Sequence, residues 1–194
     1  MSMNQVSKAR ERIQCLVDEG SFVETGALVS ARSTDFCLQA KASSGDGVVT
    51  GYATVAGKLI YIYSQDETVL GGSMGEMHAD KIARVYEMAM KMGAPVVGLL
   101  SCAGIRIEES VDALQGFGRL YLAQSEASGM VPQITAIYGS CGGGLAVAAG
   151  LSDFVFMEEK EGRLFVNAPN TLDGNTVEAC DTASAAYQAE NSGI

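Results

Sequence analysis

The chain has 194 residues, 47% of them apolar and 19% charged, which is enough for one domain with a real core and too apolar for a disordered chain. A formal net charge of −10 argues against nucleic acid as the main partner, because a phosphate-binding face needs clustered Lys and Arg. A small anionic ligand needs only local positive potential, so that class stays open.

Residues 4–18 read as an amphipathic helix, with Val6, Ile13, Leu16 and Val17 as its apolar positions. The opening residues are polar and lack the apolar core of a signal peptide, and no stretch approaches the ~18 apolar residues that span a bilayer. Residues 30–46 are weakly patterned and read as loop with a short strand. Residues 47–64 predict a β-hairpin: 48–54 and 59–64 are rich in Val, Ile, Thr and Tyr, with Ala56-Gly57 as the turn. A loop over 65–72 leads to Ser73, a candidate N-cap with Glu76 at capping-box spacing, and then to a helix reaching about residue 92, where Gly93 and Pro95 end it.

A repeated unit follows. Residues 96–100 form an apolar run typical of a strand buried on both faces; they enter a small-residue loop, 101–104, and then a helix over roughly 110–128. Residues 133–138 form a second such run, entering 139–144 and a small-residue helix over 145–150. Strands are expected at 154–157 and 164–166, and an Ala-rich helix at 176–188. Strand, glycine loop, helix, strand is the βαβ pattern of parallel α/β folds, whose ligands sit at the carboxyl ends of the strands. Both glycine loops are placed there.

The second loop, Gly139-Ser140-Cys141-Gly142-Gly143-Gly144, puts three consecutive glycines at a strand-to-helix junction. Their N–H groups are unobstructed by side chains and can be aimed at an oxygen that gains negative charge during reaction, such as a thioester carbonyl becoming an enolate. A second donor is expected from Ala103-Gly104-Ile105. The plain alternative is that these glycines only let a helix pack closely on the sheet. A third reading takes Cys141 as a nucleophile in a G-x-nucleophile-x-G turn. It lacks a base: the single histidine, His78, lies upstream, so Cys141 reads as a small structural residue.

His78 reads as a surface or capping group, and Glu76, Glu108, Glu109 and Asp112 as solvated helix charges. Met77, Met88, Met90 and Met92 suggest packing. The five cysteines, at 15, 37, 102, 141 and 180, include no CxxC pair; reduced thiols in a cytoplasmic protein are the simplest reading, and no cluster has metal-ligand spacing.

The run Ser64-Gln65-Asp66-Glu67-Thr68-Val69-Leu70-Gly71-Gly72-Ser73-Met74-Gly75-Glu76-Met77-His78-Ala79-Asp80-Lys81-Ile82 resembles the carboxyltransferase family of acyl-CoA carboxylases. That family includes propionyl-CoA carboxylase β subunits and the carboxyltransferase subunits of sodium-pumping decarboxylases. The resemblance continues through Ala9-Arg10-Glu11-Arg12-Ile13, Gly45-Asp46-Gly47-Val48-Val49-Thr50-Gly51, Ala103-Gly104-Ile105-Arg106-Ile107-Glu108-Glu109 and Ser128-Gly129-Met130-Val131-Pro132, covering about residues 7–175. Ser101-Cys102-Ala103-Gly104-Ile105 departs from the usual D-S/G-G-G-A, and Asn167-Ala168-Pro169-Asn170 matches the family's TGPD run only loosely.

The resemblance implies a crotonase-like (ClpP/crotonase) α/β fold of repeated ββα units, with residues 1–194 forming the N-terminal, acyl-CoA-binding half. It implies transfer of a carboxyl group between carboxybiotin, carried on a partner biotin carrier protein, and an acyl-CoA, or the reverse reaction of a decarboxylase subunit. Ile105, Gly143 and Gly144 would hold the thioester oxygen, with Gly71, Gly72, Ser73, Ala103, Gly104 and Gly142 lining the substrate; no metal is expected. Family chains carry a second crotonase-like domain, so this chain is expected to work in an oligomer with a second carboxyltransferase domain or subunit. It is read either as a piece of a longer chain or as one half of a function divided between polypeptides. A non-catalytic assembly subunit is the reading from a different class.

Overall fold

The structure is a computed structural model and describes residues 7–32, 45–168, 171 and 181–194. Helix α1 (Lys8–Leu16) lies within the expected first helix, ending before Val17 and Asp18, and buries Ala9 and Ile13. After β1 (Val23–Thr25), the expected hairpin forms from β2 (Val48–Val55) and β3 (Lys58–Gln65). Ala56 and Gly57 both take positive φ, 50° and 74°, the left-handed turn that matches the twist of a two-residue hairpin. Asp18 ties this turn down: its carboxylate accepts from the Ala56 and Gly57 amides at 2.9 Å each and from the Thr54 hydroxyl at 2.7 Å.

Next come β4 (Ser73–Met74), α2 (Glu76–Met92), β5 (Val96–Cys102), β6 (Gly104–Ile105), α3 (Ser110–Ala127), β7 (Gln133–Gly142), α4 (Gly144–Gly150), β8 (Phe154–Met157), β9 (Arg163–Phe165) and α5 (Ala185–Asn191). The main sheet runs in the order β1-β2-β3-β5-β7-β8, with β9 alongside the end of β7; it is antiparallel across β1, β2 and β3 and parallel from β3 onward. β4 and β6 form a separate two-stranded parallel ladder.

The apolar runs divide between two cores because strand side chains alternate. Tyr61, Tyr63, Val96 and Leu100 face a core closed by Ile82, Val85 and Tyr86 of α2, Phe117 and Leu120 of α3 and Leu145 of α4. Ile60, Ile62, Val97 and Leu99 face a second core under Ala9 and Ile13 of α1. Gly98 interrupts β5 for a steric reason: a Cβ there would lie 2.4 Å from the Tyr63 hydroxyl.

Three expectations are corrected. Ser73 does not cap α2; Gly75 is the N-cap, and Ser73 lies in β4, its hydroxyl donating to Leu70 O at 2.7 Å. The expected loop at 139–144 is mostly strand, because Ser140–Gly142 pair with Arg163–Phe165. The last helix begins at Ala185; residues 172–180, where its start was expected, lie outside the described residues, as do 33–44 and Cys37 and Cys180. Among the described residues no helix is long and apolar enough to cross a membrane.

Ile62 has no exposure, whereas Leu122 on the outer face of α3 is 59% exposed. Ile62→Ala is expected to cost about 3 kcal/mol and Leu122→Ala no more than about 0.5 kcal/mol, both read from urea unfolding midpoints.

Candidate active site

β5 and β7 are neighbours in the sheet, so their carboxyl ends bring the two glycine segments together; Cys102 and Cys141 are register partners. Beyond them backbone meets backbone. A Cβ on Gly142 would lie 2.7 Å from Ala103 O and 2.7 Å from the Phe165 ring, and one on Gly104 would lie 3.6 Å from Gly142 O. Gly104 and Gly143, at φ +133° and +61°, hold conformations that side chains disfavour.

The amides at this junction differ in what they already bond. Gly143 N–H donates to Phe165 O at 3.0 Å, so its expected role as a free donor is corrected: β9 has taken it. Ala103 N–H is likewise spent on Gly72 O at 2.9 Å. Gly144 and Leu145 open α4, where first-turn amides have no carbonyl four residues back within the helix. Arg106 N–H donates to Met74 O across the β4–β6 ladder at 2.8 Å. Amides alternate in direction along a strand, so the N–H of Ile105 turns to the edge away from β4. Among the residues named for the substrate, Gly71, Ala103 and Ile105 are exposed and Ser73 is half-buried, whereas Gly72, Gly104 and Gly142 are buried.

Beneath the junction runs a buried polar network. Ser101 N–H donates to Gln65 Oε1 (3.2 Å), Gln65 Nε2 lies 3.1 Å from His78 Nε2, and His78 Nδ1 lies 3.1 Å from Asp46 O. The amide of Gln65 donates and the Asp46 carbonyl accepts, so His78 is the neutral tautomer with its proton on Nδ1. Burial, and then the neighbouring Arg106 charge, lower its pKa from 6.5 to about 3. Arg106 Nη2 also donates to Asp46 O (3.1 Å) and to Ser73 O (2.7 Å), Nε to Ser73 Oγ (3.2 Å), and Nη1 to Glu109 Oε1 (2.7 Å). The second oxygen of Glu109 accepts from Glu76 N–H at 2.7 Å, capping α2 from another element. Lys81 Nζ, half-buried, donates to Asp46 Oδ1 (3.1 Å) and Val48 O (2.6 Å); burial raises the Asp46 pKa against this pairing.

Two sequence readings therefore change. His78 is a buried relay of hydrogen bonds rather than a surface group, and Glu109 is a buried, ion-paired cap rather than a solvated charge. Asp46, Gln65 and Arg106 went unassigned as site-supporting residues. Cys141 is fully buried; burial, with the Cys102 thiol beside it, holds its pKa far above the thiol range, and burial pushes Cys102 up to about 11. Neither is a thiolate nucleophile. A cleft of about 530 Å³ lies between α1 and the turn after β8, around Arg12, Tyr138 and Lys160, and its lining includes none of the junction residues. Among the described residues no group of three or more His, Cys, Asp or Glu is placed to hold a metal ion.

Residues 6–193 match the carboxyl transferase domain. The chain is 44% identical over 189 residues to the methylmalonyl-CoA decarboxylase subunit alpha of Veillonella parvula, covering 96% of this chain and 37% of that one. It is 46% identical over 164 residues to the propionyl-CoA carboxylase beta chain of Roseobacter denitrificans, covering 84% and 32% respectively. Among solved structures, a transcarboxylase 12S hexamer with hydrolysed methylmalonyl-coenzyme A bound superposes with a TM-score of 0.89 at 37% identity, over 95% of this chain and 36% of that one. The chain belongs to the carboxyl transferase family, and its α/β architecture is the crotonase-like fold. It spans about a third of the length of these relatives.

The depressed His78 pKa has a signed consequence. Below about pH 6.5 the unfolded chain takes up a proton that the folded chain refuses down to about pH 3, so stability falls as pH falls through that window. Asp46, raised, works in the opposite sense just above 3.8. Urea unfolding between pH 7.5 and 5 should show the native chain losing stability more steeply than His78→Gln, by roughly one kcal/mol per pH unit below 6.5. Parallel slopes would contradict the buried neutral imidazole.

Proposed function

We propose that this chain is the acyl-CoA-binding half of a biotin-dependent acyl-CoA carboxyltransferase. The observation that carries this reading is the meeting of two sheet-end segments, with the Ile105 amide turned away from its ladder and the Gly144 amide unclaimed within its helix. In either direction of transfer, negative charge develops on the thioester oxygen as the α-carbon loses a proton or a carboxyl group. The amides of Ile105 and Gly144 donate to that oxygen, a contribution that is largest where the donors are fixed before reaction. Gly71 and Ser73 lie along the CoA side, at the exposed end of the 70–73 turn. Tyr121 Oη donates to Gly144 O at 2.6 Å and holds the start of α4 in place.

Carboxybiotin, held on a partner carrier protein, supplies or accepts the carboxyl group. The residues described here fit the thioester oxygen; we assign none of them to the biotin ring, because the junction is open on its outer side at Ala103 and Ile105. A second carboxyltransferase domain or subunit would close that side. Support comes from uncovered apolar side chains beside it: Ile107 in the turn before α3, and Val111 and Leu114 in its first turns, are 78%, 71% and 63% exposed. The transfer is assigned to the cytoplasm, in keeping with the buried, unpaired thiols of Cys102 and Cys141.

The test removes one hydrogen-bond donor and no side chain. Replacing Ile105 by its α-hydroxy acid counterpart turns its amide into an ester, and in the enzyme assembled with its partner domain kcat should fall on the order of 10²-fold with KM nearly unchanged. An unchanged kcat would leave a fold relative with no oxyanion chemistry here. Cys141→Ala should keep most of the activity; abolition would revive the thiol reading.

A further inference from the structure

We propose that Arg106 and Glu109 are positioning residues that fix the direction of the Ile105 amide; this inference rests on the oxyanion reading above. Ile105 belongs to a strand of two residues, and a ladder that short does not hold its own orientation. Its two flanks are tied down instead. On one side, Ser101 N–H enters the relay through Gln65 and His78 to the carbonyl of Asp46. On the other, Arg106 reaches that same carbonyl, so residues 101 and 106 are joined through buried hydrogen bonds around the 102–105 segment. Arg106 also clamps β4 by both the carbonyl and the hydroxyl of Ser73, fixing the strand against which β6 is registered.

Glu109 completes the brace. It pairs with Arg106 and accepts the Glu76 amide, joining the 102–109 segment to the start of α2. Gly75 confirms how closely this fits. A Cβ at Gly75 would fall 2.3 and 2.4 Å from the two Glu109 oxygens and 2.5 Å from Arg106 Nη1, so this position is glycine because the ion pair occupies the space. Neither side chain is exposed enough to meet substrate, and both act through the backbone they hold.

Arg106→Lys keeps a charge opposite Glu109 but loses the planar fork that reaches Ser73, Asp46 and Glu109 together. Arg106→Met/Glu109→Gln removes both charges at similar volume, so a folded protein without the brace is available if the single variant unfolds. Each is measured in the enzyme assembled with its partner domain, as kcat, KM for acyl-CoA, and affinity for a nitronate-bearing CoA analogue that mimics the enolate. The expected result is a fall in kcat of about 10- to 100-fold with KM changed less than about threefold, and a loss of analogue affinity by the same factor as kcat. Gly75→Ala, which displaces the pair without touching it chemically, should show the same split. Folded variants whose kcat and analogue affinity match the native enzyme would overturn the proposal, as would a rise in KM at constant kcat. An analogue that binds the native enzyme no tighter than acyl-CoA would remove the oxyanion reading itself, and this inference with it; native tight binding with unaffected variants removes the brace alone.

Discussion

A guanidinium buried beneath the meeting point of two sheet-end segments is the constraint on which the rest of this structure depends. A charge out of water is tolerated only when its donors are met, and Arg106 makes four hydrogen bonds to three separate segments: the turn before β2, the β4 strand and the residue that opens α3. Losing either partner of such a pair costs about 3–5 kcal/mol, because the other charge is left stranded. The pair therefore selects one arrangement of these segments. Satisfying it requires a neutral His78, a glycine at 75 and a carboxylate at 109, and each of these is found.

The glycines serve different ends, which a count of them hides. Gly98 makes room for a tyrosine ring, Gly75 for an ion pair, and Gly142 for the Ala103 carbonyl. Gly143 supplies a backbone conformation, and its amide is consumed by β9. In the proposed reading the chemistry falls to the main-chain N–H groups of Ile105 and Gly144, presented by a frame whose side chains are occupied with one another. That reading asks for no side-chain nucleophile, in keeping with thiols held protonated and a histidine held neutral.

Local pattern made part of this legible in the sequence. The hairpin at 48–65, the apolar strands β5 and β7 and the end of α2 at Gly93 are set by period, turn residues and capping within a few positions of one another. The same pattern points to the strand ends for the glycine segments, although Gly139–Gly142 belong to β7 itself. The errors lie where the deciding partner is distant in sequence. Ser73 and Glu76 have capping-box spacing, but β4 pairs with β6 some thirty residues on and Glu109 takes the amide. His78 and Glu109 look like ordinary helix charges until Asp46 and Arg106 are brought beside them. No local signal separates Gly143 from Gly144; the difference is made by Phe165, two strands later.

In the proposed reaction fixed amides, not a side chain, polarise the thioester. Infrared difference spectroscopy of acyl-CoA labelled with ¹³C at the thioester carbonyl, bound to the assembled enzyme, reports that polarisation directly. The carbonyl stretch is expected at lower frequency than in water, moving back toward the aqueous value when the Ile105 amide is replaced by an ester. A bound carbonyl at or above its aqueous frequency, indifferent to that replacement, would contradict the account.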